Sequence, residues 1–208
     1  MGGWGADDDT PDERTLRDAE NGRAQARRVS VLVREGLLAG TALRLAPELV
    51  LELHKLSMDG LLGSAGRVRE RSDGEIFGSR HVLPPRQDVP QLLASACDFV
   101  NVRSTGEPVF LAAYILWRLC WIHPFEDGNG RTARAVSYLV LSLALNAELP
   151  GSQPIPARMK VAPIAYRRAL EAADAAWSQG QVDVSEMEKL LAFYLQAQLL
   201  DEPPTLPP

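Results

Sequence analysis

Apolar positions along this chain recur at helical spacing in almost every segment, and the breaks between segments carry turn chemistry. Thr10-Pro11-Asp12-Glu13 has the form of a helix start, with Thr at the N-cap, Pro in the first turn and Glu three residues on. From there to Ala39 no proline interrupts; Gly22 and Gly36 are the weak points and Gly40 is the expected stop. A second helix follows Pro47, with Leu49, Leu51, Leu53 and Leu56 expected on its apolar face. Asp88 is expected to cap a helix that runs towards Asn101. Glu107-Pro108 then opens PVFLAAYILWRLCWI, which is apolar nearly all round, as a central buried helix must be. TARAVSYLVLSLALNAEL is almost as apolar, and two more helices are expected near 162–178 and 184–200.

Residues 60–87 differ in kind. They are rich in Gly, Ser and charge, lack a helical period and end in Pro84-Pro85. Within them EIFGSRHVL has two short apolar runs around Gly78-Ser79, which predicts a small β-hairpin. A long loop inside a helical domain is often functional. There is no internal repeat. The pattern predicts an all-α bundle of about seven or eight helices with one hairpin. The expected organisation is a flexible N-terminus over 1–9, one domain over 10–201 and a disordered tail over 202–208.

Composition narrows this further. With 208 residues, 46% hydrophobic and 24% charged, the chain suits one globular domain with a sizeable core. A net charge of −5 supplies no global basic field for nucleic acid, so an anionic ligand needs a local device. No apolar run approaches the roughly 20 residues of a membrane span. The opening MGGWGADDD is unlike a signal peptide. Cys97 and Cys120 each sit in an apolar stretch, which suits buried thiols and a reducing compartment.

The candidate chemistry lies between the two most apolar segments, in His123-Pro124-Phe125-Glu126-Asp127-Gly128-Asn129-Gly130-Arg131-Thr132-Ala133-Arg134. Asp127-Gly128-Asn129-Gly130 is turn chemistry leading into a helix start, and a helix start approached through glycines is a natural anion site. Arg131 and Arg134 share a face of the first turn. Cations there oppose the helix dipole by a few tenths of a kcal/mol each, which makes sense if a polyanion neutralises them. Asp127 is placed to hold a phosphate-bound Mg²⁺, and His123 can take a proton from an attacking hydroxyl. Phe125 is expected to anchor the loop in the core. Taken singly, each residue also has a bland reading, with His123 as a helix cap and the arginines paired to Glu126 and Asp127. The whole constellation is what argues for a site.

At these residues the chain resembles the Fic (filamentation induced by cyclic AMP) domain family, whose HPFx[DN]GNGRxxR signature is matched at every fixed position. SAGRVRE (64–70) is similar to the family's AGxFR element, with Val68 in the Phe place, and GSRHVLPP (78–85) to its flap. The resemblance spans roughly residues 20–200 and implies an all-α enzyme that transfers AMP from ATP to a Ser, Thr or Tyr hydroxyl of a target protein. It implies His123 as general base and Asp127 as the Mg²⁺ ligand. Gly128, Asn129 and Gly130 would form the anion hole, and Arg131 and Arg134 would hold the β- and γ-phosphates. Ile76, Phe77, Gly78, Ser79, Arg80 and His81 would form a flap that docks the target as an added strand. Tyr166 is a candidate for the nucleobase wall. The alternatives are a Fic-type transferase using another nucleotide or removing AMP, or a silent nucleotide-binding module acting as an adaptor.

Relatives often carry an inhibitory [ST]xxxE[GN] helix whose Glu pairs with the second motif arginine. Thr15 before Glu20-Asn21 and Ser30 before Glu35-Gly36 both have one residue too many, which turns the hydroxyl about 100° off its expected face. An antitoxin-like inhibitor in trans, self-association or no inhibition stays open. His54 is expected to be packing, His81 to touch either the target or its own loop, and Trp117 and Trp121 to brace His123. Expected surroundings are the cytoplasm, with delivery to a host cell left open, and neither nucleic acid nor membrane as a partner.

Overall fold

The computed structural model describes residues 10–40, 44–70, 81–104, 106–161 and 163–203, and every regular element among them is helical. In chain order these are α1 (Pro11–Ala39), α2 (Pro47–Met58), α3 (Val89–Val102), α4 (Pro108–Ile122), α5 (Asn129–Ala144), α6 (Ile155–Arg158), α7 (Pro163–Ser178) and α8 (Ser185–Leu199). The hairpin expected within 75–83 falls mostly on 71–80, outside the described residues; no strand occurs among those described.

α1 starts as its sequence predicts. Thr10 Oγ1 accepts a hydrogen bond from the Glu13 N–H at 3.3 Å, and the Glu13 carboxylate accepts from the Thr10 N–H at 2.7 Å. It stops at Gly40, in the left-handed conformation at φ 60°. Two expectations need correction. Asp88 caps nothing with its side chain; it ends a 3₁₀ turn, Arg86–Asp88, that leads into α3. The buried face of α2 is Val50, Leu53, His54 and Ser57. Those positions follow the i, i+3, i+4, i+7 rule, whereas Leu49, Leu51 and Leu53 alternate with a period of two and cannot share one helical face.

α4 is the hub. Leu111 to Leu119 are buried without a break, and Ile122 is fully covered. α5 lies along α4, pinned where the Ser137 hydroxyl donates to the Ala112 carbonyl at 2.9 Å. α3, α7 and α8 pack on other sides of α4, while α1 and α2 cover α5. The loop joining α4 to α5 therefore hangs between the two most deeply packed helices. Cys97 and Cys120 are both free thiols.

Leu139→Ala, in the fully buried face of α5, is expected to lower the unfolding free energy by about 2–5 kcal/mol. Leu38→Ala, at a side chain 89% exposed, is expected to stay within about 0.5 kcal/mol. Urea melts of the two variants decide it; equal losses would mean that the α4–α5 pair is not the centre of the core.

Candidate active site

α4 ends because His123 leaves the helix at φ 49°, ψ 61°, ahead of Pro124. A left-handed histidine is strained by about 1–3 kcal/mol and persists only when its surroundings hold it. They do so from both sides. The His123 N–H still donates to the Leu119 carbonyl at 3.0 Å. Arg69 Nε donates to the His123 carbonyl at 2.8 Å, and the Arg69 N–H to the Pro124 carbonyl at 2.8 Å. Arg69 Nη2 also reaches the Pro84 carbonyl at 2.6 Å, tying the segment after the expected flap to the same point.

The next residues are pinned as firmly. Asn129 closes on the backbone of Phe125: its Oδ1 accepts from the Phe125 N–H at 2.9 Å and its Nδ2 donates to the Phe125 carbonyl at 2.8 Å. The Phe125 ring is buried and stacks flat on His54, with centroids 3.6 Å apart. His54 is more than packing. Its Nδ1 accepts from the Gly66 N–H at 2.9 Å, so the ring proton sits on Nε2 and is donated to the Asp127 carbonyl at 2.9 Å. Burial holds its pKa below the ordinary imidazole value, which keeps that tautomer neutral. Gly128 is required twice over. Its φ is 75°, and a Cβ there would meet Met58 Sδ at 2.7 Å and His54 Nε2 at 3.3 Å.

With the loop fixed, the start of α5 opens onto a groove lined by His123, Asp127, Gly128, Asn129, Gly130, Arg131, Arg134 and Lys160. The first α5 N–H to find a helical acceptor is that of Thr132, so the N–H groups of Asn129, Gly130 and Arg131 have no protein acceptor among the described residues. Asn129 offers this groove only its backbone, since its amide is spent on the loop. Asp127 is exposed; one carboxylate oxygen accepts from the Gly128 N–H at 2.6 Å and the other is uncommitted. Arg131 is held back: it donates to the Ser57 carbonyl at 2.9 Å and to Asp18 of α1 at 2.5 Å. Arg134 and Lys160 have no carboxylate partner among the described residues.

His123 also faces a second cavity, of about 300 Å³, whose wall includes Trp121, His81, Tyr166 and Asp174. The Tyr166 hydroxyl lies 3.0 Å from Cys120 Sγ. Burial keeps the phenol protonated. His81 is tied to the end of α4 through the Trp121 carbonyl, 2.7 Å from Nε2, and lies 3.7 Å from Asp174. The other flap residues, Ile76, Phe77, Gly78, Ser79 and Arg80, lie outside the described residues. Trp117 and Trp121 brace the end of α4 together with Trp177, and the Arg118 guanidinium lies between the rings, 4.2 Å from the Trp121 centroid and 4.4 Å from that of Trp177.

Burial presses the His123 pKa down to about 4; a backbone hydrogen bond at Cys120 opposes this, and the Arg69 and His81 charges assist it. The ring is neutral at pH 7, the form in which a base accepts a proton. Glu20 and Glu35 pair with neither motif arginine; Glu35 lies 3.6 Å from Arg28 instead. Asp18, Arg69 and Lys160 join the site without having been read as part of it. Arg69 stands inside the SAGRVRE element (64–70), but Asp18 and Lys160 carry no local signal.

His54→Phe keeps the stack on Phe125 but strands the Gly66 N–H and the Asp127 carbonyl. A loss of about 1–3 kcal/mol in a urea melt is expected, from two part-buried groups left unpaired. A loss below about 0.5 kcal/mol would mean that water replaces both bonds at no cost.

A sequence profile described as the Fic/DOC family matches residues 44–141. The protein adenylyltransferase Fic of Nematostella vectensis is 35% identical over 82 residues, 38% of this chain and 18% of that protein. Protein adenylyltransferase fic-1 of Caenorhabditis elegans is 32% identical over 99 residues, 44% of this chain and 18% of that protein. The chain therefore spans less than a fifth of either relative. Among solved structures, a Fic domain containing signaling protein from Bacteroides thetaiotaomicron superposes with a TM-score of 0.70 at 22% identity, covering 89% of this chain and 71% of that one. Fic-1 of C. elegans does so with a TM-score of 0.69 at 21% identity, covering 95% and 53%. The likeness to these structures concerns the fold; residues 44–141, which hold the intact His123–Arg134 motif, match the Fic/DOC family.

Proposed function

We propose that the protein is an adenylyltransferase that moves AMP from ATP to a Ser, Thr or Tyr hydroxyl of a target protein. The observation that carries this reading is that a neutral, half-buried His123 faces the same groove as the N–H groups at the start of α5 that have no acceptor among the described residues. The phosphates would lie on those N–H groups and on Arg134, with the nucleoside in the cavity walled by Tyr166. Asp127, with one oxygen uncommitted, fits a Mg²⁺ that takes a single protein carboxylate and completes its shell from phosphates and water. Such an ion would neutralise phosphate charge. His123 then takes the proton as the target hydroxyl attacks the α-phosphorus and pyrophosphate leaves. Its low pKa makes it a weak base in the free protein; a polyphosphate alongside raises that pKa towards neutrality and strengthens it as substrate binds.

Arg131 must turn from Asp18 or share itself when phosphate arrives. The pair is partly exposed, 23% and 45% on its two side chains, so its hold is worth at most about 1 kcal/mol. Asp18 is a weak brake and not an off-switch.

Intact-mass analysis after incubation with ATP and Mg²⁺ is expected to show one added AMP on the target or on the protein itself, absent in His123→Ala. That variant should still bind ATP; loss of binding would make His123 a ligand instead of a base, and label-free binding with no transfer in the wild type would favour the adaptor reading. The acid limb of kcat/KM is expected well below pH 6.5, since it reports the free protein, and that of kcat at higher pH, since it reports the complex. Coincident limbs near 6.5 would contradict the buried-base account. Asp18→Asn is expected to lower the Kd for ATP by about two- to fivefold; a change of 100-fold would make Asp18 a true inhibitory residue.

A further inference from the structure

The groove at the start of α5 does not end at the motif. Arg131, Arg134 and Lys160 also form the mouth of a larger cleft, about 640 Å³, between α1, α5 and the segment around α6. The cleft extends along α5 from Arg131 to Tyr138, seven residues or about 10 Å of helix. A phosphate chain held at Arg134 would therefore point into open space and not at a wall.

The lining changes character along that path. Four cations line the cleft, the three at the mouth and Arg23 of α1; Arg23, Arg134 and Lys160 lack a carboxylate partner among the described residues, and Asp18 is the one acid among the described lining residues. The far end is apolar and flat: Tyr138, Leu149, Pro154 and Pro156. The Tyr138 ring is held by its hydroxyl, which accepts from Gln198 Nε2 at 2.9 Å. On the α1 wall Gly22 faces the cleft. A glycine within a helix is unfavourable relative to alanine, yet a Cβ here would meet nothing within 4 Å. No neighbour demands the glycine; what it leaves is width.

We infer that the cleft is a leaving-group subsite, and that the donor it fits is a nucleoside polyphosphate whose terminal phosphate carries an aromatic group, a dinucleoside polyphosphate being the type. This rests on the adenylyltransferase reading, which puts the first nucleoside on the Tyr166 side of His123. The extra phosphate meets the cations at the mouth and the second base lies against Tyr138. The chemistry balances without another reactant. The target hydroxyl oxygen bonds to the first phosphorus, the bond from that phosphorus to its bridging oxygen breaks, and the hydroxyl proton passes to His123. A nucleoside triphosphate leaves in place of pyrophosphate.

The test is calorimetric titration of the full chain, in Mg²⁺, with ATP and with P1,P4-di(adenosine) tetraphosphate. The dinucleotide is expected to bind at least about tenfold more tightly, the gain of one stacked base. Gly22→Leu, which fills the cleft, should abolish that margin while the Kd for ATP stays within about twofold. Ala26→Leu, at an exposed position on the same wall, should do the same without the rise in helix propensity that accompanies loss of a glycine. If ATP binds and the dinucleotide gains nothing, or if the margin survives both substitutions, the subsite falls and the adenylyltransferase reading stands. If neither nucleotide binds, both fall.

Discussion

A loop that leaves one buried helix and enters another carries backbone N–H and C=O groups with no ladder to join, and those groups must be satisfied in a space that excludes water. Most of the site architecture follows from that requirement. Asn129 answers it for Phe125, Arg69 for His123 and Pro124, and His54 for Asp127. Each of these side chains spends its polar atoms on the backbone and contributes to function by position. The strain at His123 is tolerable only because its neighbours are so fully determined.

The same economy shapes the electrostatics. Seating the loop on a helix start leaves three N–H groups without an acceptor among the described residues, but it also brings Arg131 and Arg134 to the positive end of a dipole. Arg131 relieves this through Asp18 and the C-terminal turn of α2, and Arg134 has no carboxylate partner among the described residues. The groove is thus charged for a polyanion although the chain as a whole is acidic, at −5. Local placement outweighs net charge because a close charge pair in a cleft is screened far less than a global field.

The helices were legible because their signals are local. The Thr10–Glu13 capping box, Gly40 and the all-apolar α4 each need only neighbours in sequence to be recognised. The His123–Arg134 motif was legible for the same reason, being compressed into one turn and one helix start. What escaped was contact over long separations. Asp18 meets Arg131 across 113 residues, and His54 meets Asp127 across 73. A histidine on an amphipathic helix has the same sequence appearance whether it fills a core or clamps a loop. Leucines two apart in sequence do not form one helical stripe, and the true α2 face includes a polar Ser57.

The placement of the loop between α4 and α5 also governs how it moves. Its backbone is bonded to side chains from α2, from the 64–70 turn and from α5 itself, and both flanking helices are central to the core. Such a segment resists local opening; its bonded amides, those of His123 and Phe125, are expected to exchange slowly with solvent, whereas the N–H groups that open onto the groove are not protected. The motif therefore behaves as a rigid template. Any mutation that loosens the core degrades the site in the same step.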